Sequence, residues 1–192
     1  DWENYPSFAQ RFGFEYDSLR PAVPEGLRVQ VYNDDGTNNV VNLEPEGGTM
    51  QMRPGEHSLL FYNNDTEYIV FDDMNSYASA RATTRAVTRS TYLGSQYMDN
   101  AADNTVNQPD MLYGNYMESY TAVRQPETAE LPVTMHPLVF TYVVRYEFSH
   151  GLEYVALARG ALAGMAESVM LNTGRTSAEA ATILFDCTLQ PY

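Results

Sequence analysis

The chain has no lysine. All eleven of its cations are arginine, set against twenty-five acidic residues, for a net charge of −14. So acidic a surface repels nucleic-acid phosphate, and no attraction to an anionic membrane surface is expected either. There is one cysteine, Cys187, so no internal disulfide framework and no cysteine-cluster metal site is available. Its flanks, Ile183 to Leu189, alternate like a strand, and a buried, inert thiol is expected. Long hydrophobic runs are missing too. The longest candidate, Tyr154 to Leu171, is interrupted by Arg159 and Glu167, and about eighteen uninterrupted apolar residues would be needed for a membrane span. Gly160 and Gly164 have the spacing of a membrane-helix dimer motif, which those charges exclude here. No secretory leader opens the chain, so a soluble segment, mature or trimmed, is expected.

Signatures of reaction chemistry are also lacking. His57, His136 and His150 are scattered, with no two-histidine metal spacing, and no Gly-rich phosphate loop is present. No G-x-S-x-G elbow occurs and Cys187 has no evident partner. The histidines are therefore expected at turns and strand edges, no cofactor is expected, and the chain is not expected to be an enzyme. The acidic groups Asn33-Asp34-Asp35, Asn63-Asn64-Asp65 and Asp72-Asp73 could supply oxygen ligands to calcium, but none follows an EF-hand pattern. Ordinary turn chemistry accounts for them.

What the chain does have is strand chemistry. It has 192 residues, 44% hydrophobic and 12% aromatic, with fifteen tyrosines. That suits one large β-sandwich or two small domains, with enough chain to bury a core. Met50 and Met52 alternate with Thr49 and Gln51, Pro54-Gly55 suits a tight turn, and Leu59-Leu60-Phe61-Tyr62 is continuous and apolar. This stretch is expected to be strand, turn, strand, the second strand covered on both faces. Residues 1–10 form a loose lead-in. Phe12, Phe14 and Tyr16 share one face of a first strand, and Pro21 and Pro24 mark the connection after it. Leu27, Val29 and Val31 alternate as a second strand. Asp35-Gly36 signals a two-residue hairpin turn, returning through Val40 to Leu43. Tyr68 to Phe71 is another strand. Met74 to Ser90 fits a polar helix or an extended edge, its threonines tilting it toward the edge. Residues 92–108 form a long loop without period, and Pro109 to Gly114 a short turn with apolar anchors. Two strands are expected in Leu131 to Phe148: one holding Val133 and Met135, then, after Pro137, a long one from Val139 to Phe148. For Tyr154 to Leu171 helix and strand fit equally. Gly160 and Gly164 weaken a helix by roughly 1 kcal/mol each and suit bulges or close backbone approach in a sheet. Ala181 to Leu189 is the last strand. The expected fold class is all-β.

Three stretches carry a resemblance: Tyr62-Asn63-Asn64-Asp65 after Pro54-Gly55, then Pro109-Asp110-Met111-Leu112-Tyr113-Gly114, then Leu162 to Gly174. In this order they resemble the fimbrillin-like surface lipoproteins of Bacteroidetes, in a branch related to minor fimbrial anchor proteins. The resemblance runs from about Phe12 to Leu189. It implies a transthyretin-like Greek-key β-sandwich, mostly antiparallel, filling 1–192 as one domain and usually the first of two in a longer protein. It implies strand rather than helix for Tyr154 to Ala163. It also implies an outer-membrane, cell-surface location through a lipid anchor outside this segment. No lipobox cysteine and no recognisable second domain occur within these residues. Asp17-Ser18-Leu19 is similar to the short O-glycosylation motif of exported Bacteroidetes proteins, with Ser18 as the acceptor.

Two functions follow as expectations. The first is a fimbrial subunit or anchor that docks neighbouring subunits by strand addition at its sheet edges. The resemblance implies that stalk subunits of this kind are cut at an arginine, lose their first strand and accept a neighbour's strand in the gap. Here that arginine would be Arg20, and Pro21 follows it, which disfavours cleavage and implies that Phe12 to Tyr16 stays in place. The second is a carbohydrate-binding surface module that stacks glycan rings on exposed tyrosines between Tyr92 and Tyr120.

Overall fold

The structure, a computed structural model, describes residues 21–94 and 103–188. Phe12 to Tyr16, Ser18, Arg20 and the lead-in lie outside the described residues. In chain order the strands are β1 (Leu27–Asn33), β2 (Asn38–Leu43), β3 (Gly55–Asn63), β4 (Ile69–Asp72), β5 (Arg81–Thr84), β6 (Thr105–Asn107), β7 (Tyr113–Ala122), β8 (His136–Pro137), β9 (Ala158–Ala166), β10 (Ser168–Met170) and β11 (Ala180–Cys187). The helical residues are a single short helix, α1 (Arg89–Leu93), and one 3-10 turn at Leu152–Tyr154 among the described residues. No described helix is long and apolar enough to cross a membrane. The protein is an all-β sandwich, and its strand pairs are antiparallel except β6 with β11.

The β1–β2 hairpin closes on Asn33–Thr37. Gly36 N donates to the Asn33 carbonyl and Asn33 N to the Thr37 carbonyl, with Gly36 at φ 81°. This is a three-residue loop with a glycine bulge, not the two-residue turn expected. Asp35 needs no positive φ here. Its carboxylate accepts from Thr37 N at 2.9 Å and Thr37 Oγ1 at 2.5 Å.

β3 lies at the centre of the sheet β2-β1-β3-β7-β8. Both of its edges are taken by distant partners, β1 and β7. No edge is left for a local one, so the expected Met50–Met52 strand and Pro54-Gly55 turn do not form. Gly55 begins β3 instead, at φ 140°. Leu59 and Phe61 meet Val29 and Val31 on one face, where Met50, Met52, Met117, Val133 and Met135 pack over them. Leu60 and Tyr62 join Tyr32 on the other face, against Ala80, Ala82, Leu112, Val169 and Leu171. These last residues come largely from the sheet β10-β5-β4 and its flanks. Cover on both faces explains the unbroken apolar run.

A third sheet, β6-β11-β9, meets the chain after β5 through an Ala86–Val106 bridge. The two glycines of β9 sit at a close approach and at a bulge, the places expected for glycine in a strand. A Cβ on Gly160 would stand 2.2 Å from Phe185 Cζ, so the ring needs that space. Gly164, at φ 77°, sits where the β9–β11 register slips between Ala181 and Ile183, a bulge. Strand geometry begins only at Ala158, later than Tyr154, because Gly151 (φ 84°) and the 3-10 turn occupy the preceding residues.

Three further expectations change. The 92–108 loop contains β6 and the end of α1. Pro109–Gly114 leads into the ten-residue β7. The Val133–Met135 and Val139–Phe148 strands are absent; only His136 and Pro137 pair, with Gly114 and Tyr113. Val133, Met135, Leu138 and Val139 still pack on the two cores, but beyond Val139 no neighbouring described strand offers hydrogen bonds.

Candidate functional site

Two of the three resembling motifs meet at one corner. Asn63, buried at the end of β3, accepts from Tyr113 N at 2.7 Å. Its amide donates to Asp65 Oδ1 at 2.7 Å and to the Met111 carbonyl at 3.1 Å. Asp110 Oδ2 accepts three backbone N–H groups, those of Glu67, Tyr68 and Ile69, at 2.9, 2.5 and 3.3 Å. Leu112 is fully buried. Gly114 lets Leu138 and the Phe61 carbonyl approach to within 2.7 and 3.3 Å of where a Cβ would stand. The two motifs thus form one clamp that fixes where β3 ends and β7 begins. The sequence marked these residues as turns; that Asp110 holds the 67–69 backbone could be read only as a polar residue among apolar anchors.

From this corner runs an exposed apolar ladder. Leu138 N donates to the Leu112 carbonyl at 2.7 Å. The chain then continues outside any described strand, with Phe140 69%, Tyr142 65%, Tyr146 56% and Phe148 43% exposed. Tyr154 and Leu157 extend the exposed run toward β9. Tyr142, Tyr146 and Tyr154 are the most exposed of the described tyrosines. In the Tyr92–Tyr120 region only Tyr116 is exposed among the described tyrosines.

Tyr92 is instead built into a clamp. Its hydroxyl donates to Asp186 at 2.8 Å, Arg159 lies 4.7 Å over its ring, and the same guanidinium bonds Asp186 and the Tyr92 carbonyl. Burial first, then the Asp186 hydrogen bond and charge, push its pKa up to about 12.

A cleft of ≈ 470 Å³ opens beside the β1–β2 turn. Tyr32 and Tyr77, ring centroids 5.7 Å apart and nearly perpendicular, form its aromatic wall. Asp34, Glu56 and Glu118 bring carboxylates, and Asn75, Ser58 and Ser76 smaller polar groups. His57 borders it but is buried, with Nδ1 2.9 Å from Asn33 Oδ1 and Nε2 2.8 Å from the Arg53 carbonyl, so neither nitrogen is open to a ligand. The Tyr77 hydroxyl is buried without a partner among the described residues.

The other singled-out residues stay apart. His136 and His150 are exposed, His150 touching Ser149. Asp35 and Asp65 serve their turns, and Asp73 faces Arg81 at 3.5 Å. No group of three acidic, histidine or cysteine side chains able to hold a metal occurs among the described residues. Cys187 is half-buried rather than fully buried, at the end of β11.

Comparison with known proteins agrees with the resemblance read from the motifs. The chain is 27% identical, over 186 residues, to a Bacteroides ovatus protein named "Putative fimbrium anchoring subunit Fim4B", covering 96% of this chain and 54% of that protein. A crystal structure of a "putative adhesin", also from Bacteroides ovatus, superposes with a TM-score of 0.66 at 24% identity, covering 90% of this chain and 58% of that one. The chain therefore spans little more than half the length of either. A family model, described as a domain of unknown function (DUF5119), matches residues 3–186, and the chain belongs to that family.

Proposed function

We propose that this chain is a non-enzymatic cell-surface protein of the fimbrial anchor or subunit type, and that it associates with other fimbrial components through its sheet edges. Likeness to an anchoring subunit along nearly the whole chain supports the role. The geometric observation that carries it is the state of β7. β8 pairs with β7 only at Tyr113 and Gly114, so Asn115 to Ala122 presents an edge with no described strand beside it. Such an edge can accept an extended segment from another chain. In this reading 1–192 is one β-sandwich domain, held at the outer membrane through a lipid anchor elsewhere in a longer protein, and Ser18 is glycosylated. The Arg20-Pro21 bond resists arginine-specific cleavage, so residues 12–16 are retained. Deleting the gene in its own cell and imaging the surface tests the role: fimbriae should be lost or shed. Unchanged, firmly held fimbriae would overturn it.

The cleft favours a second reading, glycan capture. Tyrosine faces and carboxylates together are the groups that hold sugar rings and hydroxyls. Tyr77→Ala should abolish binding on a glycan array, while Tyr77→Phe, which keeps the ring, should not. A silent array leaves the fimbrial reading alone.

A further inference from the structure

His57 is a buried titratable group that neither functional reading uses. It is 4% exposed near the start of β3, opposite Asn33 in the β1 register. Its two nitrogens face two oxygens, Asn33 Oδ1 at 2.9 Å and the Arg53 carbonyl at 2.8 Å. A carbonyl only accepts, and a neutral imidazole offers one N–H and one lone pair. The end of the Asn33 amide that faces the ring therefore decides how many protons the ring needs.

The β1–β2 turn fixes that end. Hydrogen bonds from the Thr37 hydroxyl first, then from the Thr37 N–H, hold the Asp35 carboxyl below the usual carboxylate range, so it only accepts. Thr37 Oγ1 and Asp35 Oδ1 are 2.5 Å apart, and two oxygens that close need a proton between them. The single hydroxyl proton of Thr37 is thus committed to Asp35. Only lone pairs remain for Asn33, whose amide nitrogen donates to Thr37 Oγ1 at 2.9 Å. Asn33 Oδ1 must then point at His57. Both ring nitrogens face acceptors, and only the imidazolium satisfies both. We infer that His57 is a proton-dependent latch, whose doubly protonated ring ties the β1–β2 turn to the approach to β3 and whose loss of one proton opens that tie.

The surroundings suit a cation. Asp34 from the turn, Glu56 from β3 and Glu118 from β7 line the same cleft as His57, and Tyr120 is its partner in the β7 register. The opposing cation, Arg53, has its guanidinium 3.5 Å from Asp35. Arg53 is thus held twice, by its carbonyl on His57 and by its side chain on the turn. A buried charge is tolerated when its N–H groups are all bonded, as both are here. Removing one proton sets a nitrogen lone pair against an oxygen at 2.8 or 2.9 Å. Asn33, Asp34, Gly36 and Thr37, which line the cleft, then lose their tie to Arg53. The fold favours the charged ring, so the latch is complete in acid and is lost as pH rises. Histidine changes charge between about pH 5 and 8. The inference depends on neither the fimbrial nor the glycan reading.

Nitrogen–proton NMR of the 192-residue chain, labelled at histidine, tests it. His136 and His150 are exposed, so their ring protons exchange quickly and lasting ring N–H signals belong to His57. Two such signals are expected in acid, one of them vanishing as pH is raised through the histidine range of about 5 to 8. Thr37→Val frees Asn33 to turn its amide nitrogen toward Nδ1, and the second signal should then vanish about one pH unit earlier or more. Protection of the Asn33 and Gly36 amides, corrected for intrinsic exchange, should fall about threefold or more as the signal goes, while Leu60 stays protected. A single ring N–H at every pH, or loss at the same pH in parent and variant, would overturn the latch. So would turn amides that keep their protection after the proton has left. Should Thr37→Val fail to fold, Asn33→Asp replaces it: a carboxylate facing Nδ1 must keep the second proton to a higher pH than in the parent, and no rise overturns the inference.

Discussion

β3 and the 139–148 ladder are made of nearly the same side chains and lie in opposite surroundings. Leu59, Leu60, Phe61 and Tyr62 are buried, with both sheet faces covered and both backbone edges paired. Phe140, Tyr142 and Tyr146 are exposed, on a stretch that pairs with no strand among the described residues. β9 is intermediate, paired with β11 on one side only among the described residues. The series shows that apolar alternation supplies the material for a strand, while a partner edge decides whether burial follows. Edges are non-local, and their closure must offset the entropy of ordering the chain between them.

The strongest test of this contrast is truncation at matched positions. Leu60→Ala removes a fully buried side chain and should cost about 2–5 kcal/mol in urea unfolding. Tyr142→Ala should cost less than half as much. Equal losses would mean that the two regions are buried alike and that the contrast is false.

The clamp at Asp110 tests whether the corner keeps the two regions apart. Asp110→Ala leaves three backbone N–H groups without their acceptor, at a cost of about 1–3 kcal/mol. Exchange should rise around Tyr68 and Met111 while the centre of β3 stays protected. A uniform rise across β3 would instead make the corner part of the core.

Which parts were legible follows the same division. The β1–β2 hairpin could be read because its partner is a few residues away and Asp34-Asp35-Gly36 marks the join. Leu59 to Tyr62 could be read as doubly covered because its apolar run is unbroken. Its neighbours could not, since Met50-Gln51-Met52 is closer in sequence and alternates as well as β1 does. β6 has three residues, too few for any period to show. Gly160 and Gly164 were legible as close approach and bulge because glycine has few other reasons to sit in a strand. The clamp and the cleft were not, because Asn63, Asp110, Tyr32 and Tyr77 acquire partners only once distant strands are side by side.

β9 supplies a smaller test. Gly160→Ala drives a methyl into the far end of the Phe185 ring, which is only partly buried and must turn away. Because a partly exposed side chain, not backbone, has to move, the cost should stay at about 1 kcal/mol, at the low end for overpacking, which is roughly 1–3 kcal/mol. A loss several times larger would show β9 to be enclosed as tightly as β3.

The smallest expected effect has the opposite sign. The Tyr77 hydroxyl is buried without a partner among the described residues, so it loses its hydration and gains nothing in return from them. Tyr77→Phe should leave stability at neutral pH unchanged or raise it by up to about 1 kcal/mol. The alkaline limb separates this from a neutral substitution. Burial first, then the Glu118 and Tyr116 charges, push the Tyr77 pKa from 10.0 up to about 12, and burial raises Tyr32 and Tyr62 as well. A folded pKa above the unfolded one means that stability is complete below about pH 10 and is lost as pH climbs toward the folded value. The parent protein should therefore weaken from pH 10 to 12, and the Tyr77→Phe variant should weaken less, with Tyr32 and Tyr62 still titrating. A variant that follows the parent curve throughout would show that Tyr77 ionises as freely as a surface tyrosine, and its cleft wall would then resemble the ladder rather than β3.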